Sequence, residues 1–192
     1  QKLDNTLYVK MNSRGRPLTG FENFKADLEA MLHKNPALLE ADGAAVKAFS
    51  HKIDTDWADL FWTYRGDNHL IDEECVRYLR FLFEVRAWKL GLPVHTGLDD
   101  LSALSNLSEA LLGHQASAAH GNLDWIGRAL DVWLTVQSGG LTGPKAIAPL
   151  FASLFTRDAQ SIATTPLRIC NFRDFGDVPV GVDMFHACCH LY

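Results

Sequence analysis

Hydrophobic positions near the start of the chain follow a two-residue period. In residues 6–11, Leu7, Val9 and Met11 alternate with more polar neighbours. Side chains of a β-strand point alternately to its two faces, so this period is typical of a strand with one buried face. The pattern predicts a strand over residues 6–11.

The hydrophobic period becomes helical after residue 18. Thr19 and Glu22 have the spacing of a capping box, in which each side chain binds a backbone N–H group at the helix start. The helix is predicted to end near His33, because Pro36 prevents much extension. Its predicted buried stripe consists of Phe21, Phe24, Leu28, Met31 and Leu32.

Most of the remaining chain also has helical periodicity. The longest predicted helix, over residues 71–90, begins with acidic residues and ends with Lys89 and Gly91, as the helix dipole and a glycine C-cap favour. Two short strands are predicted at residues 167–172 and 178–182, and the last ten residues are interpreted as a buried helix. Further helices are predicted near residues 42–50, 55–64, 98–113, 121–137 and 144–156.

These elements predict a mainly α fold, a multi-helix domain preceded by one strand. A single strand leaves its backbone hydrogen-bonding groups unpaired, so it needs partner strands. They would come either from residues 167–182 or from chain that is absent here, and we favour absent chain. The sequence begins at Gln1 rather than at a methionine, and we expect it to be a segment of a longer protein.

The composition predicts one domain in a reducing compartment. A chain of 192 residues with 47% hydrophobic residues can form a substantial core. Its net charge of -5 gives no overall attraction for nucleic acid, so binding to a polyanion would need a local basic patch. The four cysteines lack CxxC spacing, and no apolar run reaches the roughly eighteen residues of a membrane span. We therefore expect a cytoplasmic protein that does not enter a membrane.

Candidate chemistry lies at the junction between the predicted strand and the first helix. The first turn of a helix has free backbone N–H groups that attract anions, phosphate above all. Gly15 allows a close approach to the backbone, and arginines add charge-assisted contacts to phosphate oxygens. A nucleotide-phosphate loop is one interpretation, and a well-capped turn with solvated arginines is the alternative. The junction consists of Asn12, Ser13, Arg14, Gly15 and Arg16.

The same stretch resembles a motif in the N-terminal domain of GmrSD-type restriction endonucleases, a ParB-like family. The family motif is an aromatic residue, three residues, Asn, Ser or Thr, one residue, Gly, two residues and Leu. The following PLTGFENFKA is similar to the family's PLTDFENFKA, and the similarity continues to about residue 90 through the acidic, Trp-rich residues 51–82. The motif is matched by Tyr8, standing where the family usually has Phe, and by Asn12, Ser13, Gly15 and Leu18.

The resemblance implies binding and hydrolysis of a nucleoside triphosphate with Mg²⁺, coupled in phage defence to cleavage of foreign DNA. Asn12 and Ser13 would hold phosphate or position the metal-bound nucleotide. Gly15 would permit the tight turn, and Arg14 or Arg16 would neutralise phosphate charge. Tyr8 and Leu18 complete the implied nucleotide motif.

The resemblance also implies a domain organisation. Residues 1–18 would be the last strand and nucleotide loop of a ParB-like α+β core, and residues 19–192 the helical part of the same domain. The family's other signature, Asp-Gly-Gln-Gln-Arg, does not occur in this sequence, nor does an HNH nuclease motif. The chain would then supply half of a nucleotide site and be inactive alone, with DNA reached only through a separate nuclease module. A homo-oligomer is compatible with this organisation. The rival hypothesis is a non-catalytic helical scaffold or partner-binding module.

Three other polar groups favour structural interpretations. Residues 186–190 contain two histidines and two cysteines, but only the histidines would share a helix face, so a buried helix is favoured over a zinc site. His114 and His120 are interpreted as solvated loop residues. Residues 139–146 lack the spacing of a phosphate loop and are interpreted as a helix stop and restart.

Two further groups concern nucleic-acid binding and acid catalysis. Asp99 and Asp100 are interpreted as acids at a helix N-terminus rather than a catalytic carboxylate pair. An aromatic group near residue 60 has the residue types of a base-stacking surface, but its acidic neighbours would repel nucleic acid, so core packing is favoured. That group consists of Trp57, Phe61, Trp62, Tyr64 and Arg65.

Overall fold

Six α-helices and two 3₁₀ helices form the described part of the chain. A computed structural model describes residues 17–65, 70–94, 97–138 and 171–177, and no strand occurs within these ranges. The predicted mainly α class is therefore confirmed for them. The 3₁₀ helices are Pro36–Leu38 and Phe172–Asp177. The α-helices are α1 Gly20–Leu32, α2 Glu40–Asp54, α3 Asp56–Thr63, α4 Asp72–Lys89, α5 Asp100–Leu112 and α6 Ala119–Ser138.

Helix α1 begins at the predicted capping box. The Thr19 hydroxyl accepts a hydrogen bond from the Glu22 amide at 3.2 Å, and the Thr19 amide donates to the Glu22 carboxylate at 2.7 Å. The helix ends at Leu32, close to the predicted end at His33. The predicted stripe is confirmed: Met31 is half-buried, and the buried members are Phe21, Phe24, Leu28 and Leu32.

Helix α4 lies at the centre of the domain. It packs against α1, α5, α6 and the second 3₁₀ helix, and most of its residues are buried, as expected for a helix covered on several sides. One of the buried side chains is the carboxylate of Glu84, whose Oε1 lies 2.8 Å from Arg80 Nε. Burial raises the pKa of Glu84, while the hydrogen bond from Arg80 opposes that shift. Arg80 also binds Asp100, so this partly buried network joins α4 to α5.

The second 3₁₀ helix is held against α4 by two phenylalanines. Phe172 and Phe175 are almost completely buried, and they lie three residues apart, which places them on one side of a 3₁₀ helix. Phe175 packs on Phe81 with ring centres 4.8 Å apart. The centre of the Phe172 ring lies 4.9–5.3 Å from the ring centres of Phe61, Tyr64, Tyr78 and Trp133. This aromatic cluster joins α3, α4 and α6 to the 3₁₀ helix.

Several predicted boundaries need correction. The prediction of a strand over residues 167–172 is wrong for its last residue, because Phe172 begins a 3₁₀ helix. This helix directs Phe172 and Phe175 into the core. Helix α2 starts two residues earlier and ends four later than predicted, and α3, α5 and α6 differ by two residues or fewer at each end. The predicted elements that lie outside the described residues are those at 6–11, 144–156 and 178–182 and the last ten residues.

Among the helices that the structure describes, none combines the length and the apolar character needed to cross a membrane. The longest of them, α6, carries charged residues along its exposed face, including Asp124 and Arg128.

Candidate nucleotide site at the start of the first helix

The predicted nucleotide motif is described only at its last residue. Leu18 is half-buried, one position before the N-cap of α1. The other predicted site residues lie outside the described ranges. The structure therefore describes the start of α1 and the surface beside it, not these residues themselves. They are Tyr8, Asn12, Ser13, Arg14, Gly15 and Arg16.

The N-terminus of α1 is partly satisfied by its own side chains. Thr19 is extended, with φ of -70° and ψ of 167°, so the chain arrives from outside the helix and turns sharply into it. The capping box occupies the amides of Thr19 and Glu22. The first-turn amides that the box does not use are those of Gly20 and Phe21. An anion at this end would therefore meet two helix donors and the positive end of the helix dipole.

A groove of about 360 Å³ opens beside this helix start, between α1 and α2. That volume lies within the usual range for small-molecule sites. Its walls include Leu18, Phe49 and Ile53, and Lys25 crosses it to bind Asp54 at 2.5 Å. Two further carboxylates, of Glu22 and Glu29, line the groove, so its charge is negative on balance. Such a groove suits hydrogen-bond donors, whereas phosphate would be repelled from it.

The other side of the helix start is also acidic. A cavity of about 320 Å³ lies where the N-termini of α1, α4 and α5 meet, and four carboxylates and Arg77 line it. The prediction for Asp99 and Asp100 is confirmed. Asp99 caps α5 by accepting a hydrogen bond from the Ser102 amide at 3.0 Å. Hydrogen bonds from the Ser102 side chain and then from the Ser102 amide lower the pKa of Asp99. Asp100 pairs with Arg77 at 3.3 Å. These carboxylates complement helix dipoles, and without balancing cations they would repel phosphate.

The aromatic group of α3 divides into buried and exposed members. Trp57, Phe61 and Tyr64 are buried, which confirms the core interpretation for them. Trp62 is 48% exposed, so the prediction is wrong for this residue. It lies on the opposite face of the helix, and the Arg65 guanidinium stacks on its ring at 4.2 Å. The stack is small and its arginine is already bound to the Trp62 carbonyl at 2.7 Å.

The histidine predictions are confirmed in part. His114 is exposed, and its Nδ1 lies 3.0 Å from the Lys34 carbonyl oxygen. His120 is also exposed, but it belongs to the first turn of α6 rather than to a loop. Residues 186–190 and 139–146 lie outside the described ranges. Cys75 is buried, and burial raises its pKa, so its thiol is not prepared for nucleophilic chemistry.

Two polar arrangements were not found by sequence reasoning. Asp131 of α6 accepts hydrogen bonds from Lys52 at 2.8 Å and from the Trp57 indole at 3.0 Å, which joins α2, α3 and α6. Arg86 and Lys89 at the end of α4 both approach the ring of Trp125 in α6. Both arrangements depend on contacts between helices far apart in sequence, so no local spacing predicts them.

Comparisons with known proteins give no relative for this chain. The sequence matches no protein-family model, and no curated protein or solved structure is significantly similar to it. The resemblance to the GmrSD-type family therefore depends on the motif residues themselves.

Proposed function

We propose that this chain is part of a nucleoside-triphosphate-binding and hydrolysing domain of a GmrSD-like restriction protein that acts in phage defence. It would supply one nucleotide motif, made by Tyr8, by residues 12–16 and by Leu18. A ParB-like core elsewhere in the parent protein would supply the other. DNA would be cleaved by a separate nuclease module. The proposal places the protein in the cytoplasm.

One structural observation supports the location of the phosphate. Helix α1 begins at Gly20, directly after the motif, and its capping box leaves two first-turn amides for other partners. Arg16 lies three residues before Thr19 in the sequence. Three residues span at most about 11 Å, so covalent connectivity keeps the Arg16 backbone near the positive end of the helix dipole.

The surrounding charge supports a role for the two arginines. Glu22 lies in the first turn of α1, and other carboxylates line the cavities on both sides of this turn. A triphosphate would be repelled by them unless cations in the motif balanced its charge. Arg14 and Arg16 would supply that charge, with geometry suited to phosphate oxygens.

Magnesium fits the proposal only as a partner of the nucleotide. Within the described ranges, no group of three acidic, histidine or cysteine side chains is placed to hold a metal ion. Mg²⁺ in nucleotide sites usually takes one or two protein carboxylates and completes its shell with phosphate oxygens and water. Glu22 is the nearest described carboxylate in the sequence, and one of its oxygens is bound to the Thr19 amide.

Calorimetric titration of nucleoside triphosphates with Mg²⁺ tests the proposal, with the full-length parent protein and an Asn12→Ala, Gly15→Ala double variant. We expect the variant to lose at least about tenfold in affinity, since charge-assisted and backbone contacts to phosphate each contribute on the order of 1–3 kcal/mol. Asn106→Ala with Gly121→Ala is the matched control. Asn106 is exposed, and a Cβ at Gly121 would meet nothing within 4 Å. Equal affinity of both variants would remove the phosphate role from this loop.

The alternative function is a helical module that binds a partner and has no nucleotide site. The observation that favours it is the cationic surface around Trp125, which is remote from the motif in the sequence. The same titration separates the two functions. A helical module alone would give no saturable nucleotide binding in the full-length protein.

A further inference from the structure

A cationic surface surrounds Trp125, where the end of α4 lies beside α6. The Arg86 guanidinium carbon is 5.7 Å from the centre of the Trp125 ring, and Lys89 Nζ is 5.6 Å from it. Arg86 Nε also donates to Asn122 Oδ1 at 2.8 Å. Arg86 is thus held between two side chains of α6. Together with Arg128, these residues form what we call the Trp125 patch.

Arg128 adds a third positive charge to the patch. Its side chain is 71% exposed, and it pairs with Asp124 at 2.6 Å. Burial and the nearby charge of Arg128 lower the pKa of Arg86, so the two guanidinium groups lie close enough to repel each other. Among the described residues, the patch places these three cations beside the carboxylate of Asp124. Their mutual repulsion would be relieved by an anionic partner.

Exposed apolar side chains accompany these cations. Val132 follows Trp125 by seven positions and Arg128 by four, so all three lie on one face of α6. The side chain of Val132 is 50% exposed. At the end of α4, Leu90 follows Lys89 and is 42% exposed. Tryptophan and arginine are the residue types enriched at the energetic centres of protein interfaces.

We propose that the Trp125 patch docks an acidic peptide segment of another protein, one in which glutamate or aspartate alternates with apolar residues. The cations would bind the carboxylates, while Val132 and Leu90 would contact the apolar residues. The charge of the patch is complementary to such a segment. This surface is independent of the proposed nucleotide site.

The size of the patch argues against a nucleic acid as its partner. Nucleic-acid affinity depends on neutralising many phosphates along an extended basic track. Here three cations occupy one spot, and the Arg86 and Lys89 charges lie over the indole ring that a base would stack on. The negative net charge of the chain would also repel a long polyanion.

Fluorescence anisotropy with the full chain tests this inference. The probes are a short labelled peptide of alternating glutamate and leucine, the same peptide with glutamine in place of glutamate, and a labelled oligothymidylate of equal length. Lys89→Gln with Arg128→Gln is expected to weaken binding of the acidic peptide by about two- to thirtyfold, the range for losing two exposed ion pairs. Asp124→Asn removes the competing carboxylate and should tighten binding.

A matched control makes the same change in net charge elsewhere. Lys34 and Lys47 are exposed, and Lys34→Gln with Lys47→Gln should leave the affinity nearly unchanged. Thermal unfolding checks that each variant is folded. The inference is overturned if the wild-type chain shows no saturable binding, or if the control pair weakens binding as much as the patch pair. Equal binding of the glutamine peptide, or tighter binding of oligothymidylate, would also overturn it.

Discussion

The aromatic cluster around Phe172 gives the sharpest stability prediction. Replacing Phe172 with alanine removes a ring that is completely buried and that contacts rings from α3, α4 and α6. Deleting a buried phenylalanine side chain costs about 3–5 kcal/mol, through lost burial and the cavity that remains. Each aromatic pair adds on the order of 0.5–1.5 kcal/mol beyond its buried area, so a value in the upper half of that range is expected here.

Urea unfolding followed by circular dichroism measures the effect. Small domains have unfolding free energies of about 5–15 kcal/mol, so the Phe172→Ala midpoint should fall substantially while the slope stays unchanged. Arg173→Ala is the control, because its side chain is exposed and surface changes are usually within about 0.5 kcal/mol. A loss of less than about 1 kcal/mol in the unfolding free energy of Phe172→Ala would show that the ring is not packed in the core as described, because a large buried cavity costs much more.

Two further predictions concern the capping box and the buried carboxylate. Thr19→Ala should lower the unfolding free energy by about 1 kcal/mol in the same urea assay, because it leaves the Glu22 amide without its cap. An unchanged urea midpoint would contradict this role of Thr19. Burial raises the pKa of Glu84. Between about pH 4.3 and this raised pKa, the folded chain therefore keeps a proton that the unfolded chain has lost. The free energy of unfolding should fall as the pH rises through this window. Glu84→Gln should abolish that fall, and a pH profile of the melting temperature identical to that of the wild-type chain would contradict this assignment.

Local chemistry explains which helix ends the sequence could predict. Helix α1 has a side-chain cap in Thr19 and a proline soon after its end, and both were predicted closely. Helix α4 ends before Gly91, whose φ is 68°, the left-handed conformation expected of a glycine C-cap. In contrast, α2 begins at an N-cap, Leu39, that makes no side-chain hydrogen bond. The acidic residues Glu40 and Asp42 mark its first turn, but no capping side chain fixes the residue at which it starts.

Helical periodicity explains the aromatic residues of α3. Trp57, Phe61 and Tyr64 are separated by three or four positions and share the buried face. Trp62 is one position from Phe61 and falls on the exposed face, so treating the aromatics as one group concealed the difference. Strict use of the spacing would have predicted it.

Contacts between distant segments explain what local spacing could not supply. Phe172 lies more than ninety positions after Tyr78, and the same local sequence was compatible with a strand. The Trp125 patch likewise depends on the packing of α6 against α4. For the candidate site, the sequence predicted the helix start and its cap correctly, whereas the acidic cavities on both sides appear only when α1, α2, α4 and α5 are assembled.

The proposed nucleotide site places a triphosphate where residues 12–16 meet the start of α1. Amide chemical-shift mapping of the isotope-labelled full-length protein, titrated with nucleoside triphosphate and Mg²⁺, tests it most directly. We expect the largest saturable shifts at Asn12, Ser13 and Gly15 and at the Gly20 and Phe21 amides. Shifts confined to the Trp125 patch, or no saturable shifts in residues 12–21, would contradict it.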